Sequence, residues 1–170
     1  MTASTTTMTL YDTTCAIPGV VMYWPSTSSC ATTTNQQCKQ MTSGATSYNC
    51  FPPITNYAAK GVQMLKTYNF IQVNEFSPSD PLCNGTRIAT HQYTLGNCFT
   101  FTNLDAYPLV RFRSAVVAKS SNKKNVGVYE MKLFKDKICK DEAAGNPQIL
   151  GTVGKCRGSD VTGTFVVLVK

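Results

Sequence analysis

Eight cysteines constrain this 170-residue chain more than any other feature of its sequence. Three times, an apolar, strand-like segment ends in a cysteine, at Cys15, Cys83 and Cys139. A second cysteine follows after 15, 15 and 17 residues, respectively. This spacing predicts a repeated arrangement of strand, cysteine, strand and cysteine. The predicted units are roughly residues 8–68, 69–118 and 126–170.

Disulfide bonds are the expected use of these cysteines. No two of them have the Cys-x-x-Cys spacing of structural zinc sites or thioredoxin-like enzymes, and the chain has a single histidine. Scattered cysteines in even number are typical of an oxidising compartment. A bond between sequence neighbours closes a loop of roughly 15 residues and contributes about 3 kcal/mol. The predicted pairs are Cys15–Cys30, Cys38–Cys50, Cys83–Cys98 and Cys139–Cys156.

The predicted disulfides indicate a secreted or cell-surface protein. Residues 1–7 lack the basic and apolar regions of a signal peptide, so we expect a mature chain whose native signal peptide is not part of it. These residues are expected to form a flexible tail, and residues 8–170 a single domain. No apolar run approaches the roughly 18 residues of a membrane span. The sequon at Asn84 predicts a glycosylation site.

Alternating apolar and polar residues, separated by Gly and Pro turns, predict an all-β domain. In residues 126–135 the alternation is clean, with Tyr129 and Leu133 on one face and Glu130 and Phe134 on the other. No segment shows a helical period, and a glycine at position 61 argues against extending a short helix from residue 56. The other predicted strands include 7–11, 20–24, 62–68, 70–76, 107–118, 149–153 and 164–169, with 87–93 and 98–102 paired as a hairpin.

Two of the strand segments end in an aromatic residue and an acidic corner, as Tyr11-Asp12 and as Phe134-Lys135-Asp136. In this they resemble the opening strand of the βγ-crystallin Greek key. The resemblance implies a disulfide-stabilised Greek-key sandwich. Three units are equally consistent with a trefoil-like domain, and both folds stay open. The family's calcium-binding pattern is not visible here, so the resemblance implies no metal site, and no cofactor is expected.

Positive charge is concentrated in the last third of the chain. Residues 1–110 hold four basic and four acidic residues, whereas residues 111–170 hold twelve and five, which supplies the whole net charge of +7. Because this part is rich in lysine and poor in aromatic residues, it predicts an acidic glycan or protein surface as the partner and makes nucleic acid an unexpected one. The predicted contact residues are Lys119, Lys123, Lys124, Lys135, Lys137 and Lys140.

Three functions are compatible with these features. The first is a non-enzymatic protein that binds a glycan or another protein, with Tyr23 and Trp24 as a candidate surface for stacking on a sugar ring. The second is a protease inhibitor that acts through the disulfide-held stretch 26–49. The third is a small basic ribonuclease, in which a His/Glu pair and arginines share one face of a sheet. Its catalytic residues would be His91, Glu130, Arg111 and Arg113.

Overall fold

The structure is a computed structural model that describes residues 3–30, 35–41, 44–77, 80, 82–101, 112–143, 145, 147–158 and 163–169. The described residues form twelve strands and one helix. The strands are β1 (Ser4–Tyr11), β2 (Pro18–Ser26), β3 (Gln36–Met41), β4 (Gly44–Phe51), β5 (Phe70–Phe76), β6 (Arg87–Thr94), β7 (Cys98–Thr100), β8 (Ser114–Lys119), β9 (Val128–Phe134), β10 (Gln148–Thr152), β11 (Cys156–Gly158) and β12 (Gly163–Val169). The helix is α1 (Tyr57–Leu65).

The strands form two antiparallel sheets that share the main core. The large sheet has the order β11-β12-β5-β6-β2-β1-β4-β3, and the small sheet has the order β10-β9-β8-β7. Val20 and Tyr93 from the large sheet meet Phe99 and Leu133 from the small sheet in one buried cluster. The predicted β class is therefore confirmed, as two antiparallel sheets with four disulfides and one added helix.

Helix α1 covers the opposite face of the large sheet. It begins after Asn56, whose side chain accepts a hydrogen bond from a backbone N–H of the first turn at 3.0 Å. Gly61 faces the sheet and lies against Gln92, where there is no room for a side chain. The strand predicted at 62–68 is wrong, because the helix continues through Gly61 and buries Leu65 completely.

The sheet face beneath α1 is polar, and a chain of buried hydrogen bonds connects its side chains. The Tyr23 hydroxyl donates to Oε1 of Gln92 at 2.7 Å. The Gln92 amide donates to Oε1 of Gln72 at 3.0 Å, and the Gln72 amide donates to Oδ1 of Asn74 at 2.9 Å. The Gln92 amide also donates to the backbone carbonyl of Tyr57 in α1 at 2.6 Å. These bonds anchor the helix on a face that would otherwise bury unpaired polar groups.

Strand β1 begins at Ser4, so the flexible tail predicted for residues 1–7 is wrong for residues 4–7. Ser4, Thr5 and Thr7 are buried. The strand is hydrogen-bonded on both sides, to β2 and to β4. A Thr-rich segment was interpreted as polar and frayed, but threonine is β-branched and is well suited to a strand inside a sheet.

Four disulfides are present, as predicted, but every predicted pairing is wrong. Each disulfide joins two cysteines that the sheets bring close together in space. Cysteines that follow each other in the sequence are not necessarily close in the fold. The longest loop closes over 73 residues, which in the chain-entropy model contributes about 4 kcal/mol. The bonds are Cys15–Cys38, Cys30–Cys50, Cys83–Cys156 and Cys98–Cys139.

The predicted hairpin of residues 87–93 and 98–102 is also wrong. Strand β6 belongs to the large sheet and β7 to the small sheet. The chain passes from one sheet to the other at Gly96, which has a φ of 77°. A glycine adopts this conformation without steric cost, so the turn signal was correct and only the pairing was misjudged.

The loops after β1 and β9 share a hydrogen-bonding pattern. The Asp136 carboxylate accepts backbone N–H bonds from the second, fourth and fifth residues after it, at 2.9, 3.1 and 2.6 Å. The Asp12 carboxylate accepts the corresponding three bonds at 3.0, 3.3 and 3.5 Å. Asp80, after β5, accepts from the fifth residue after it, Gly85. In each loop the third residue after the aspartate is a cysteine with positive φ, namely Cys15, Cys83 or Cys139.

The sequence repeat is therefore a repeated loop. Its common element is Asp-x-x-Cys, in which the carboxylate organises the turn and the cysteine adopts a backbone conformation that is uncommon outside glycine. Cys83–Cys156 joins segments that were assigned to different units, so the cysteines do not delimit separate modules.

Candidate functional site

The only histidine and the only tryptophan of the chain are neighbours on the large sheet. His91 in β6 pairs with Met22 of β2 on one side and with Val73 of β5 on the other. Because side chains alternate along a strand, Trp24 lies on the same face as Met22, and Glu75 on the same face as Val73. This face is the one that packs toward the small sheet, since Val73 belongs to the core between the sheets.

Direct contacts join these side chains into one cluster. The His91 and Trp24 ring centroids lie 6.4 Å apart at an angle of 70°. Nδ1 of His91 lies 3.0 Å from the Tyr93 hydroxyl and 3.8 Å from Oε1 of Glu75. Nε2 of His91 is buried and has no hydrogen-bond partner among the residues that the structure describes. The cluster thus combines the indole of Trp24, the carboxyl group of Glu75 and one imidazole nitrogen, Nε2 of His91, that has an unused capacity for a hydrogen bond.

Three side chains of this cluster are partly exposed to solvent. The side chains of His91 and Glu75 are 16% and 27% exposed, and Trp24 is half-buried. Tyr93 is buried at the core side of the cluster. We refer to Trp24, His91 and Glu75 as the Trp–His–Glu face.

Burial favours the uncharged form of His91 in this cluster. Burial lowers the pKa of His91, and the nearby Glu75 carboxylate acts in the opposite direction without cancelling the effect. Burial, followed by the repulsion from Glu75, raises the pKa of the Tyr93 hydroxyl. Near neutral pH, therefore, an uncharged imidazole lies beside the protonated hydroxyl of Tyr93.

Tyr23 does not belong to the Trp–His–Glu face, so its prediction as a ligand-contacting residue is wrong. It is fully buried on the opposite face of the sheet, with its hydroxyl bonded to Gln92. The reason is the alternation of β2, which directs Tyr23 and Trp24 to opposite sides. Tyr23 and Trp24 are adjacent in the same strand, so their side chains cannot form a single surface for stacking on a sugar ring.

The predicted catalytic residues do not share one face of a sheet. His91 lies in β6 of the large sheet, whereas Glu130 lies in β9 of the small sheet. Arg113 is exposed just before β8, and Arg111 lies outside the described residues. The carboxylate beside His91 is Glu75, which the sequence interpretation missed. The alternation of the strands at 70–76 and 87–93 does not reveal this contact, because it follows from the pairing of β5 with β6.

Glu130 lies instead on the outer side of the small sheet, in a depression of about 290 Å³. It is 5% exposed. Glu142 and Lys132 line the same depression, together with polar residues of the β8–β9 connection.

The six predicted lysines fall into two groups. Lys119, Lys123 and Lys124 are exposed at the end of β8 and in the connection that follows it. The other group follows β9 and comprises exposed Lys135 and Lys140 and half-buried Lys137. The seven residues of β9 separate the groups by about 20 Å. They therefore flank the small sheet at opposite ends and do not form one compact patch.

The stretch 26–49, predicted as an inhibitory loop, contains two strands. Its described parts include β3 and most of β4, which pair with each other at the edge of the large sheet. Gln36 and Lys39 of β3 are exposed, which is common for an edge strand. Asn84 is exposed beside the Cys83–Cys156 bond, so its modification stays a prediction on an accessible residue.

No group of three or more His, Cys, Asp or Glu side chains in the described part of the chain is arranged to hold a metal ion. No helix in that part is both long enough and apolar enough to cross a membrane.

No protein-family model, no curated protein and no solved structure matches this chain. The resemblance of its strand segments to the βγ-crystallin Greek key therefore stays a prediction.

Proposed function

We propose that this protein is an extracellular binding protein that recognises a glycan at a cell or extracellular surface through the Trp–His–Glu face. The observation that carries the proposal is the side-by-side position of Trp24, His91 and Glu75, each part-exposed, on one sheet face. Four disulfides support an origin in an oxidising compartment.

Each of the three side chains complements a different part of a sugar. The indole of Trp24 offers an apolar surface for the C–H groups of a pyranose ring. The Glu75 carboxylate accepts hydrogen bonds from sugar hydroxyls, and such charge-assisted bonds are stronger than neutral ones. A hydroxyl both donates and accepts, so it satisfies Nε2 of His91 in either tautomer.

A second candidate is general acid–base cleavage of a phosphodiester at the same face. The distance of 3.8 Å between Nδ1 of His91 and Oε1 of Glu75 favours it, since a His/Glu pair can supply the acid and the base. In this alternative Glu75 takes the role that was predicted for Glu130. Ribonuclease activity that His91→Ala abolishes would support this alternative, and an inactive wild-type protein would contradict it.

For the fold, we propose a Greek-key sandwich in preference to a trefoil. Support comes from the two packed antiparallel sheets, in which β12 neighbours β5, β6 neighbours β2, and β1 neighbours β4. Such neighbours are distant in sequence, as they are where a strand returns beside an earlier one.

Tryptophan fluorescence offers a direct test, because Trp24 is the only tryptophan. After a glycan array has identified a bound sugar, its titration should change the emission of Trp24. Glu75→Gln should weaken the affinity about 10- to 100-fold, because it removes a hydrogen bond to a charged group. Glu142→Gln is the matched control, since Glu142 is an exposed carboxylate on the other sheet, and it should bind like the wild type.

The proposal fails if no glycan binds. It also fails if isothermal titration, which needs no tryptophan, gives the same glycan affinity for wild type, Glu75→Gln and Trp24→Leu, provided that both variants retain the native circular dichroism spectrum. In the latter case the glycan would be bound elsewhere on the protein.

A further inference from the structure

A cleft of about 330 Å³ opens where α1 ends above the large sheet. The helix packs closely on the sheet as far as Leu65, and the chain then turns at Lys66, which has a φ of 47°. Val21 and Leu65, both fully buried, form the apolar floor of the cleft. Its volume lies at the lower end of the range of about 300–1,000 Å³ that is usual for small-molecule sites.

The threonine at the inner wall of this cleft has an unusual hydroxyl. Thr9 is 2% exposed, and its Oγ1 is buried without a hydrogen-bond partner in the described part of the chain. The two preceding threonines on the same face of β1 are both paired. Thr5 accepts from the backbone N–H of Ile54 at 3.1 Å, and Thr7 donates to the backbone carbonyl of Asn49 at 3.3 Å. Buried hydroxyls nearly always have a partner, so the hydroxyl of Thr9 has an unused hydrogen-bonding capacity beside the cleft.

The remaining walls select for an aromatic and anionic molecule. Tyr11 and Tyr68 line the cleft, and a contact of 3.2 Å with Ser47 holds the Tyr11 hydroxyl in place. Lys66 is the single charged residue among the described residues that line the cleft, and it is exposed at the mouth. Aromatic rings pack well against a planar apolar body, and the ammonium group attracts a carboxylate.

We propose that this cleft binds a small aromatic carboxylic acid. The ring of the ligand lies over Val21 and Leu65, next to the two tyrosines. An acceptor atom on the ring receives the hydrogen bond of Thr9, and the carboxylate faces Lys66. Thr9 and Trp24 point to opposite faces of the large sheet, so this site is separate from the Trp–His–Glu face and is tested independently of it.

Isothermal titration with three related probes tests the proposal. These are 4-hydroxyphenylacetate, phenylacetate, which lacks the ring hydroxyl, and 4-hydroxyphenylacetamide, which lacks the charge. We expect 4-hydroxyphenylacetate to bind most tightly, and the amide about 2- to 5-fold more weakly, as for the loss of an exposed ion pair. Lys66→Gln should bring the affinity for the acid down to that for the amide.

Thr9→Val gives the sharper result. The substitution keeps the shape of the side chain and breaks no hydrogen bond, so the variant should be as stable as the wild type. We expect it to weaken the binding of 4-hydroxyphenylacetate about 2- to 10-fold and to leave the binding of phenylacetate unchanged. Thr7→Val is the matched control on the same face of the strand and should bind every probe like the wild type.

Two outcomes would overturn the proposal. One is the absence of binding of all three probes to the wild-type protein at millimolar concentration. The other is an equal affinity of wild type, Thr9→Val and Lys66→Gln for 4-hydroxyphenylacetate.

Discussion

Gly61 of α1 lies so close to Gln92 of β6 that a methyl group at position 61 would come within 2.6 Å of the amide carbon and nitrogen of Gln92. Gln92 is fully buried and connects the sheet to the helix through its hydrogen bonds. It therefore has no free direction in which to move.

Gly61→Ala should lower the free energy of unfolding, although alanine is the better helix former by about 1 kcal/mol. The clash should dominate, since overpacking in a well-packed core costs about 1–3 kcal/mol. Denaturant unfolding with the disulfides intact measures the effect. Val62→Ala, at an exposed position of the same helix, should be neutral or slightly stabilising. An increased stability of Gly61→Ala would show that α1 is not held this close to the sheet.

Tyr23→Phe should destabilise the protein by about 1–3 kcal/mol, because it leaves the buried Oε1 of Gln92 without its donor. The Tyr57 ring contacts the Tyr23 ring edge-on, with centroids 5.4 Å apart. Its hydroxyl makes no hydrogen bond to any described residue, so Tyr57→Phe is the matched control and should be nearly neutral. Equal unfolding midpoints for the two variants would contradict the polar connection beneath α1.

Acid should weaken the loop that follows β9. Desolvation opposes the ionised form of Asp136, but the backbone N–H donors of Lys140, Asp141, Ile138 and Cys139 outweigh it, so its pKa is lowered in the folded state. The unfolded chain has the ordinary Asp pKa of about 3.9 and binds the proton first. The stabilisation is thus complete above that value and is lost as the pH falls through the folded pKa.

Melting temperatures between pH 2 and pH 6 check this expectation. Asp136→Ala should melt below the wild type at pH 6, and the two curves should converge at the acid end. A gap of constant size across this range would mean that the carboxylate does not act through its charge.

The pKa of His91 should lie below the ordinary value of about 6.5, because burial disfavours the imidazolium. As the unfolded chain takes up this proton first, stability should be complete above about pH 6.5 and decrease as the pH falls through the folded pKa. NMR titration is unambiguous with a single histidine. Glu75→Gln should lower the His91 pKa further, since the carboxylate favours the charged form, whereas Glu142→Gln should not change it. A wild-type value above 6.5 would contradict this account of the site.

The strands were largely predictable because their signals are local. The strand at 70–76 was predicted with its observed bounds. The alternation within 126–135 predicted Tyr129 and Leu133 on one face, and in the structure both belong to the core. A short helix from residue 56 was considered, but its continuation beyond Gly61 was missed, because glycine is a poor helix former in isolation. The glycine is needed where the helix approaches Gln92, which lies 31 residues later in the chain. Helix propensity depends on residue type alone, so it does not predict a contact with a distant strand.

The disulfide partners and the site were predictable only in part, because both depend on which strands become neighbours. Cys30 follows β2 and Cys50 lies in β4, and β1 lies between these two strands in the sheet. No local sequence pattern specifies this arrangement. His91 and Trp24 were each recognised as candidates, but their contact follows from the pairing of β2 with β6. Glu75 was missed for the same reason.

The disulfide pattern divides the chain into two covalent halves. Cys15–Cys38 and Cys30–Cys50 lie entirely on the N-terminal side of α1, whereas Cys83–Cys156 and Cys98–Cys139 lie entirely beyond β5. A single proteolytic cut between residues 51 and 82 consequently leaves two peptides that no disulfide connects, even under oxidising conditions. If the cut falls between α1 and β5, the pairing of β2 with β6 and the core that the two sheets share hold the peptides together without a covalent link. The two halves can therefore be treated as separate fragments joined by a single peptide segment. Produced as separate chains, they are suited to a fragment-complementation experiment.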